Sequence, residues 1–425
     1  MTRPNKKSGI SAVPINILHS LKVCATVLCS FGAAPLSADI LELDRTIVAP
    51  HGTKTISGRM ASFGTRTLVT RHYEDDSYRS TREAMLIDTR TGEILDTLND
   101  GPEYIVSGAN AGVDLDSTRA LFCGRSYERF KETPSARMFD AKSGALRQRF
   151  YHNDPKAHRV DGFGQTCKIA GNAVVITAPS LKSDINGIKG AVYLYDANTG
   201  AQTRRIEPHD PAANSQFGTD AVIHGQMLAI SSSGASTKRG YFGYVDLYDL
   251  ASGAHLHRFE RPDNHIPYNS GIFGTQILMS KTRLVIANTF DTLSTKRETG
   301  TVWVYNLSDY SLTHQFAAPD DVRQNSLFGR SIALWQDLLL IGAPDIEVPR
   351  SESQKRKKNV GRAYLFDLGT GDLVQDIPNP TPESFEYFGV GVTLGPEGAV
   401  IVASEERSSE ESGGAVYVYR FANAP

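Results

Sequence analysis

The sequence predicts an all-β fold, a seven-bladed β-propeller of four-stranded blades, on three observations. A string beginning Phe-Gly recurs at a nearly constant period, and each copy is followed by a second block in which Val and Tyr alternate. The last repeat lacks one strand, and a strand-like segment before the first repeat is spare.

The string FGRSIALWQDLLLI, from Phe328, has ungapped relatives starting at Phe163, Phe217, Phe273 and Phe388. Two degenerate copies, SGRMASFGTRTLVT and ANAGVDLDSTRALF, bring the repeat starts to 57, 109, 163, 217, 273, 328 and 388. Phe63-Gly64 lies inside the first copy but is not its motif. Aligning there leaves no second strand, whereas aligning Ser57-Gly58 sets TRTLVT beside TRALF and TRLVI. Each string holds two apolar runs around a short turn, which are strands A and B. LLLIGAP in the sixth copy is unbroken and apolar, as a strand buried on both faces must be. Phe328 is expected to start the innermost strand and pack between blades, and Gly329 to allow close approach near the channel.

The second block reads GAVYLYDANTGAQTRRI in the third repeat, GYVDLYDLASGAHLHRF in the fourth and GRAYLFDLGTGDLVQDI in the sixth. Its alternation is that of a strand. The Asp-x-x-Thr-Gly step is a tight turn in which Asp caps the backbone and Gly takes positive φ. Strands C and D therefore follow A and B, and no unit offers a convincing helix. Four-strand units repeated at this period are propeller blades. The last repeat stops after strand C at Phe421. DILELDRTIVAP, residues 39 to 50, is expected to complete it as the outer strand, closing the ring and covering an edge that would otherwise recruit other chains.

The leader differs in character. Arg3, Lys6 and Lys7 precede an apolar stretch, VCATVLCSFGAA, that ends in small residues at PLSA. This pattern predicts a signal peptide over residues 1–38, cut near Ala38, and hence a secreted or periplasmic protein. The stretch is well short of the roughly 20 residues that span a bilayer, and no membrane span is expected in the mature chain. Neither Cys24 nor Cys29 follows the small residue of a lipoprotein signal. Losing the leader's four cations, with no acid among its residues, takes the net charge from −2 to −6. That charge offers no nucleic-acid footprint. Two cysteines remain, Cys123 and Cys167. An oxidising compartment allows a disulfide between them, and the alternative is two buried thiols packed as small hydrophobic side chains.

FG…IGAP followed by GAVYLYD resembles the FG-GAP repeat of integrin α-subunit propellers and of many bacterial exported proteins. The resemblance covers residues 57 to 421 and implies a fold more than a function. Calcium-binding members carry an Asp-rich A–B loop. Here those turns are AGN, HGQ, SKT, WQD and GPE, too short and too poor in carboxylates to surround calcium. The chain resembles the calcium-free bacterial branch, and no cofactor is implied. Asp…Gly turns also occur in quinoprotein propellers, but Trp303 and Trp335 are the only tryptophans and neither follows the turn glycine.

Function is expected on the face that carries the long B–C and D–A connections, since long loops on a rigid frame are where binding resides. The most distinctive is IEVPRSESQKRKKNVG in blade six, where Arg350, Lys355, Arg356, Lys357 and Lys358 form a basic finger suited to an anionic protein or glycan. SEERSSEESGG in blade seven is an acidic counterpart, with Glu405, Glu406, Glu410 and Glu411. His152, His158, His209 and His265 share the face, but their differing offsets in successive blades do not converge as zinc requires, so no metal site is assigned. No GxSxG, HExxH, phosphate loop or spaced carboxylate pair is present. The expected role is a non-catalytic scaffold binding a protein or glycan. The alternative is a carbohydrate-active lyase or hydrolase with its site at the channel mouth.

Overall fold

The computed structural model describes residues 40–74, 80–98, 112–128, 131–152, 161–183, 187–210, 215–237, 240–241, 243–262, 272–290, 299–319, 326–348, 357–404 and 413–422. Seven four-stranded antiparallel sheets form a propeller ring, and the described residues contain no helix. The first strands are Thr53–Phe63, Val113–Leu115, Cys167–Ala170, Phe217–His224, Gln276–Met279, Ser331–Trp335 and Gly391–Gly395. Each touches the first strand of both neighbouring blades, and the last touches the first. They are therefore the inner wall of the ring. Phe63, half exposed, ends the first strand and precedes the A–B turn, so Phe63-Gly64 is not the blade motif.

Closure follows the expected route. Leu41–Val48 is the outer strand of blade seven and pairs antiparallel with Ala415–Phe421, from Leu41↔Phe421 to Val48↔Ala415. Blade six holds this strand too. The buried Gln375 side chain accepts a hydrogen bond from the Leu41 amide at 2.8 Å and donates one to the Leu41 carbonyl at 2.7 Å. One amide side chain thus satisfies both backbone groups of a residue at the end of the closing strand.

The apolar core is divided among the blade interfaces. Among the described residues there are seven buried clusters, and each draws on two adjacent blades. Period-2 alternation explains why strand B is apolar throughout. In Leu338–Ala343, Leu339 and Ile341 face the cluster shared with blade five, whereas Leu340 faces that shared with blade seven. Fully burying such a side chain contributes about 1.5–3 kcal/mol, so strand B is stabilised from both sides.

The Phe-Gly pair does more than begin a strand. In blades three, five, six and seven it lies in the turn just before strand A, and only in blade four does Phe217 open the strand. The reason is the backbone. Gly164, Gly218, Gly274, Gly329 and Gly389 have φ between +86° and +94° or within a degree below, a region that side chains disfavour. A Cβ on Gly274 would lie 2.8 Å from the Ser231 Cβ, and one on Gly329 would lie 3.0 Å from Val302 Cγ2, in both cases on the preceding blade. The Phe amide reaches the same blade: Phe217 donates to the Lys189 carbonyl, Phe328 to Thr299 and Phe388 to Val360, each at 3.1 Å. The Phe rings are fully buried in those interfaces. In blades three to seven the motif is a latch that docks the blade onto the one before it.

A covalent link adds to one interface. Cys123, in strand B of blade two, is disulfide-bonded to Cys167, in strand A of blade three, with a Cα–Cα distance of 6.4 Å. This resolves the alternative that the composition left open. The C–D turns form as their sequence requires. Asp140 accepts from the Lys142 and Ser143 amides and Asp196 from those of Asn198 and Thr199. Blade five, which has no glycine there, uses Asn306 as the cap and places Tyr310 in the left-handed region at φ 61°.

Candidate functional site

Strand A begins, and strand B ends, on the face that carries the B–C and D–A connections. In blades one and two the B and C strands are long and continuous, Arg66–Glu74 with Ser80–Asp88 and Arg119–Glu128 with Lys131–Asp140. In blades three and four the connection folds into a separate small hairpin, Lys182–Ser183 with Gly187–Ile188 and Ser236–Thr237 with Gly240–Tyr241. In blade six Val348 and Lys357 exchange both backbone hydrogen bonds, at 2.9 and 3.1 Å. Among the described residues, five blades thus carry paired backbone above the ring on one face. The pairing satisfies main-chain groups that an irregular loop would leave to water. At the base of the blade-one hairpin, cross-strand partners Arg71 and Glu83 form a buried ion pair, with Nη2 and Nε at 2.6 and 2.9 Å from Oε2.

The basic finger is rooted by this pairing. Arg350, Lys355 and Arg356 lie outside the described residues, as do Glu405, Glu406, Glu410 and Glu411 of the acidic loop. Lys357 and Lys358 are described. The Lys357 ammonium is 3.0 Å from Glu383 and also donates to the Pro382 carbonyl, both in the connection between blades six and seven. The Lys358 amide donates to Ser384 Oγ and its carbonyl accepts from Phe385, while its side chain is exposed. The described carboxylate that meets the finger is therefore Glu383.

Of the four histidines, His152 and His209 are described. His158 and His265 lie outside the described residues. His152 is buried against the Phe163 and Tyr193 rings, with Nε2 3.2 Å from Asp161. His209 stacks on His255 in blade four with ring centres 4.4 Å apart. Among the described residues no group of three or more His, Cys, Asp or Glu is placed to hold a metal ion.

His255 belongs to a polar wedge that the sequence reading did not single out. Asp246 stands where strand C of blades three, five and six has Tyr193, Trp303 and Tyr364. Fully buried, it accepts from Arg258 Nε and Nη2 at 2.7 and 3.0 Å and lies 3.1 Å from His255 Nε2. Arg258 lies 3.7 Å above the Tyr244 ring. Although burial opposes its charge, the bonds and charge of Asp246 hold Arg258 protonated above its ordinary range. Every group is partnered, so the wedge replaces an aromatic side chain with a paired charge rather than presenting a reactive one.

The described cavities open on the opposite, short-turn face. One of about 500 Å³ lies over the A–B turns of blades four to six and is lined by His224, Lys281, Arg283, Trp335 and Asp337. A neighbour of about 430 Å³ shares Lys281, Thr282 and Arg283 and reaches Asn306 and His314. Arg283 is ion-paired with Asp337 across the first of these, which neutralises its charge.

The inner wall contributes two further cations, Arg59 in blade one and Arg330 in blade six. They occupy the same place in their repeats, immediately after Ser57-Gly58 and Phe328-Gly329: Arg330 directly precedes Ser331–Trp335, whereas Arg59 lies within Thr53–Phe63, where the pairing register shifts between Ile56 and Met60. Alignment of the repeats is enough to pair these positions.

No family model matches the chain, and no curated protein matches it. Among solved structures, hydrazine synthase from Kuenenia stuttgartiensis superposes with a TM-score of 0.54 at 11% identity, covering 89% of this chain and 98% of that one. The likeness is one of fold: both chains are propellers, and at this identity nothing about chemistry carries across.

Proposed function

We propose that the chain is an exported, non-catalytic binding propeller of the calcium-independent FG-GAP type, recognising an anionic protein or glycan through its long-connection face. The observation that carries this reading is the Val348–Lys357 pairing, which roots the basic segment on the rigid ring. A loop held at both ends loses less freedom on binding than a free tail, so more of its charge interaction is retained as affinity. The Phe-Gly latch, the GAP-containing strand B and the short A–B turns support the assignment to FG-GAP repeats. The leader pattern supports export, with cleavage near Ala38.

The test replaces Lys355, Arg356, Lys357 and Lys358 with Ser. Salt-sensitive retention on an anionic column should be lost. The exposed Lys357–Glu383 pair contributes about 1 kcal/mol or less, so the melting temperature should hardly move. Unaltered retention would refute the assignment of the finger as a binding element.

A further inference from the structure

We infer that Arg59 and Arg330 form an oxyanion site at the channel mouth, receiving a carboxylate, sulfate or phosphate group of the ligand. The inference rests on the proposed binding role of the long-connection face and specifies the chemistry recognised at its centre.

The argument begins with position. Blades one and six are not adjacent, because blade seven stands between them and its Gly391–Gly395 strand touches the inner strands of both. The residue of blade seven in the corresponding place is Val390, which brings no charge. Small residues bring the backbones together here: a Cβ on Gly58 would lie 2.2 Å from the Val390 carbonyl oxygen. Two arginine positions therefore stand on either side of one apolar position.

The other polar side chains at this place are already engaged. Gln165 of blade three donates to the Thr219 carbonyl at 3.1 Å. Thr219 of blade four donates to the Gln216 carbonyl and bonds Ser233 Oγ. Thr275 of blade five bonds the Ala287 carbonyl and Thr289 Oγ1. Ala111 of blade two lies outside the described residues. By contrast, among the described residues neither Arg59 nor Arg330 makes a side-chain hydrogen bond or ion pair.

Their surroundings agree with this placement. Arg330 is exposed to solvent, yet its pKa is drawn down, first by the protein packed around it and then by the charge of Arg59, with Asp345 opposing. A side chain both reached by water and crowded by protein belongs on the wall of an opening. Two like charges held together in such a place favour an anion between them, and the planar fork of each guanidinium suits an oxyanion held by two parallel hydrogen bonds. Local focusing by low-dielectric walls strengthens the effect.

The experiment is calorimetric titration of the leaderless protein at constant ionic strength with two probes, inorganic sulfate and a sulfated, uronate-bearing tetrasaccharide. The variants are Arg59→Gln, Arg330→Gln and the double replacement. Saturable binding of at least one probe is expected, weakened tenfold or more by either single change and lost in the double. Binding of sulfate alone would identify a free-ion site, whereas preference for the tetrasaccharide would identify a glycan group; both support the site. Absence of saturable binding of either probe, or equal binding by the double variant, would overturn it. Melting in anion-free buffer provides a second readout. The double variant should melt at the same temperature or higher, because repulsion is relieved, and a fall of several degrees would overturn the inference by showing the arginines to be structural partners. The four-residue Ser variant of the basic finger, titrated in parallel, separates the two readings. If it loses column retention but still binds the probes, both stand; if it keeps retention while the arginine variants lose the probes, only the finger fails.

Discussion

Reducing the Cys123–Cys167 bond should lower the stability of the propeller by a calculable amount. The two residues are 44 apart in sequence and belong to different blades, so the bond restrains a whole inter-blade segment of the unfolded chain. The chain-entropy relation for a loop of that length gives about 4 kcal/mol at 25 °C. Unfolding entropy scales with chain length and is on the order of 0.8 kcal/mol per kelvin for a propeller of this size, so the melting temperature should fall by about 5 °C. Both sulfurs belong to residues fully buried in the cluster that holds Phe163 and Tyr193. Replacement by alanine therefore adds a cavity cost that reduction alone does not. The assay is thermal unfolding of the leaderless protein followed by circular dichroism, for the oxidised form, the form refolded under reductant, and Cys123→Ala/Cys167→Ala. The expected order of melting temperature is oxidised, then reduced, then the alanine variant, with no free thiol titrating in the unreduced, denatured protein. Coincident melts of the oxidised and reduced forms would refute the reasoning, because the latch and the apolar interface would then already exhaust what the bond contributes.

Gln375→Ala removes both hydrogen bonds to Leu41 and leaves two buried backbone groups without those partners, so it should cost about 2–3 kcal/mol in denaturant unfolding and speed proteolysis within residues 40–50. Gly274→Ala should destabilise by at least about 2 kcal/mol more than Gly171→Ala in the same assay. Both have positive φ, but a Cβ at 274 meets Ser231 at 2.8 Å whereas one at 171 meets nothing within 4 Å. Acid should weaken the fold through the C–D turns. The Thr199 amide lowers the Asp196 carboxyl and the Ser252 hydroxyl lowers that of Asp249, so their contribution is complete above the unfolded value near 3.9 and is lost as pH falls through the lower folded values. Asp196→Asn/Asp249→Asn should therefore show a shallower loss of melting temperature below about pH 4. Asn306 already caps the equivalent turn, so the variant should fold, and an unchanged acid slope would count against the carboxylates. Thermal melts with and without a chelator should coincide, since the short A–B turns offer too few oxygens for calcium; a large loss on chelation would contradict this.

The strands, the blade count and the closing segment were legible in the chain because the interactions that define them are local or periodic. Alternation along TVWVYN and the unbroken apolar run of LLLIGA are each read within six residues, and an Asp…Gly turn within five. The spare strand at 41–48 was inferred from a missing partner, and the ring supplied the pairing. Tertiary structure alone decided what the ring brings together. Phe-Gly reads locally as the start of a strand, yet docking on the preceding blade turns the glycine to positive φ and sets the pair ahead of the strand. Cys123 meets Cys167 only because strand B of one blade lies beside strand A of the next. Lys357 meets Glu383 rather than a neighbour in its own charge run. Gln375 reaches Leu41 across 334 residues, and the charge of Arg59 acts on Arg330 although 271 positions separate them, because a closed ring brings the two ends of the propeller together. Periodicity specifies the blade, but the partners of its polar side chains depend on curvature and closure, which no local pattern encodes.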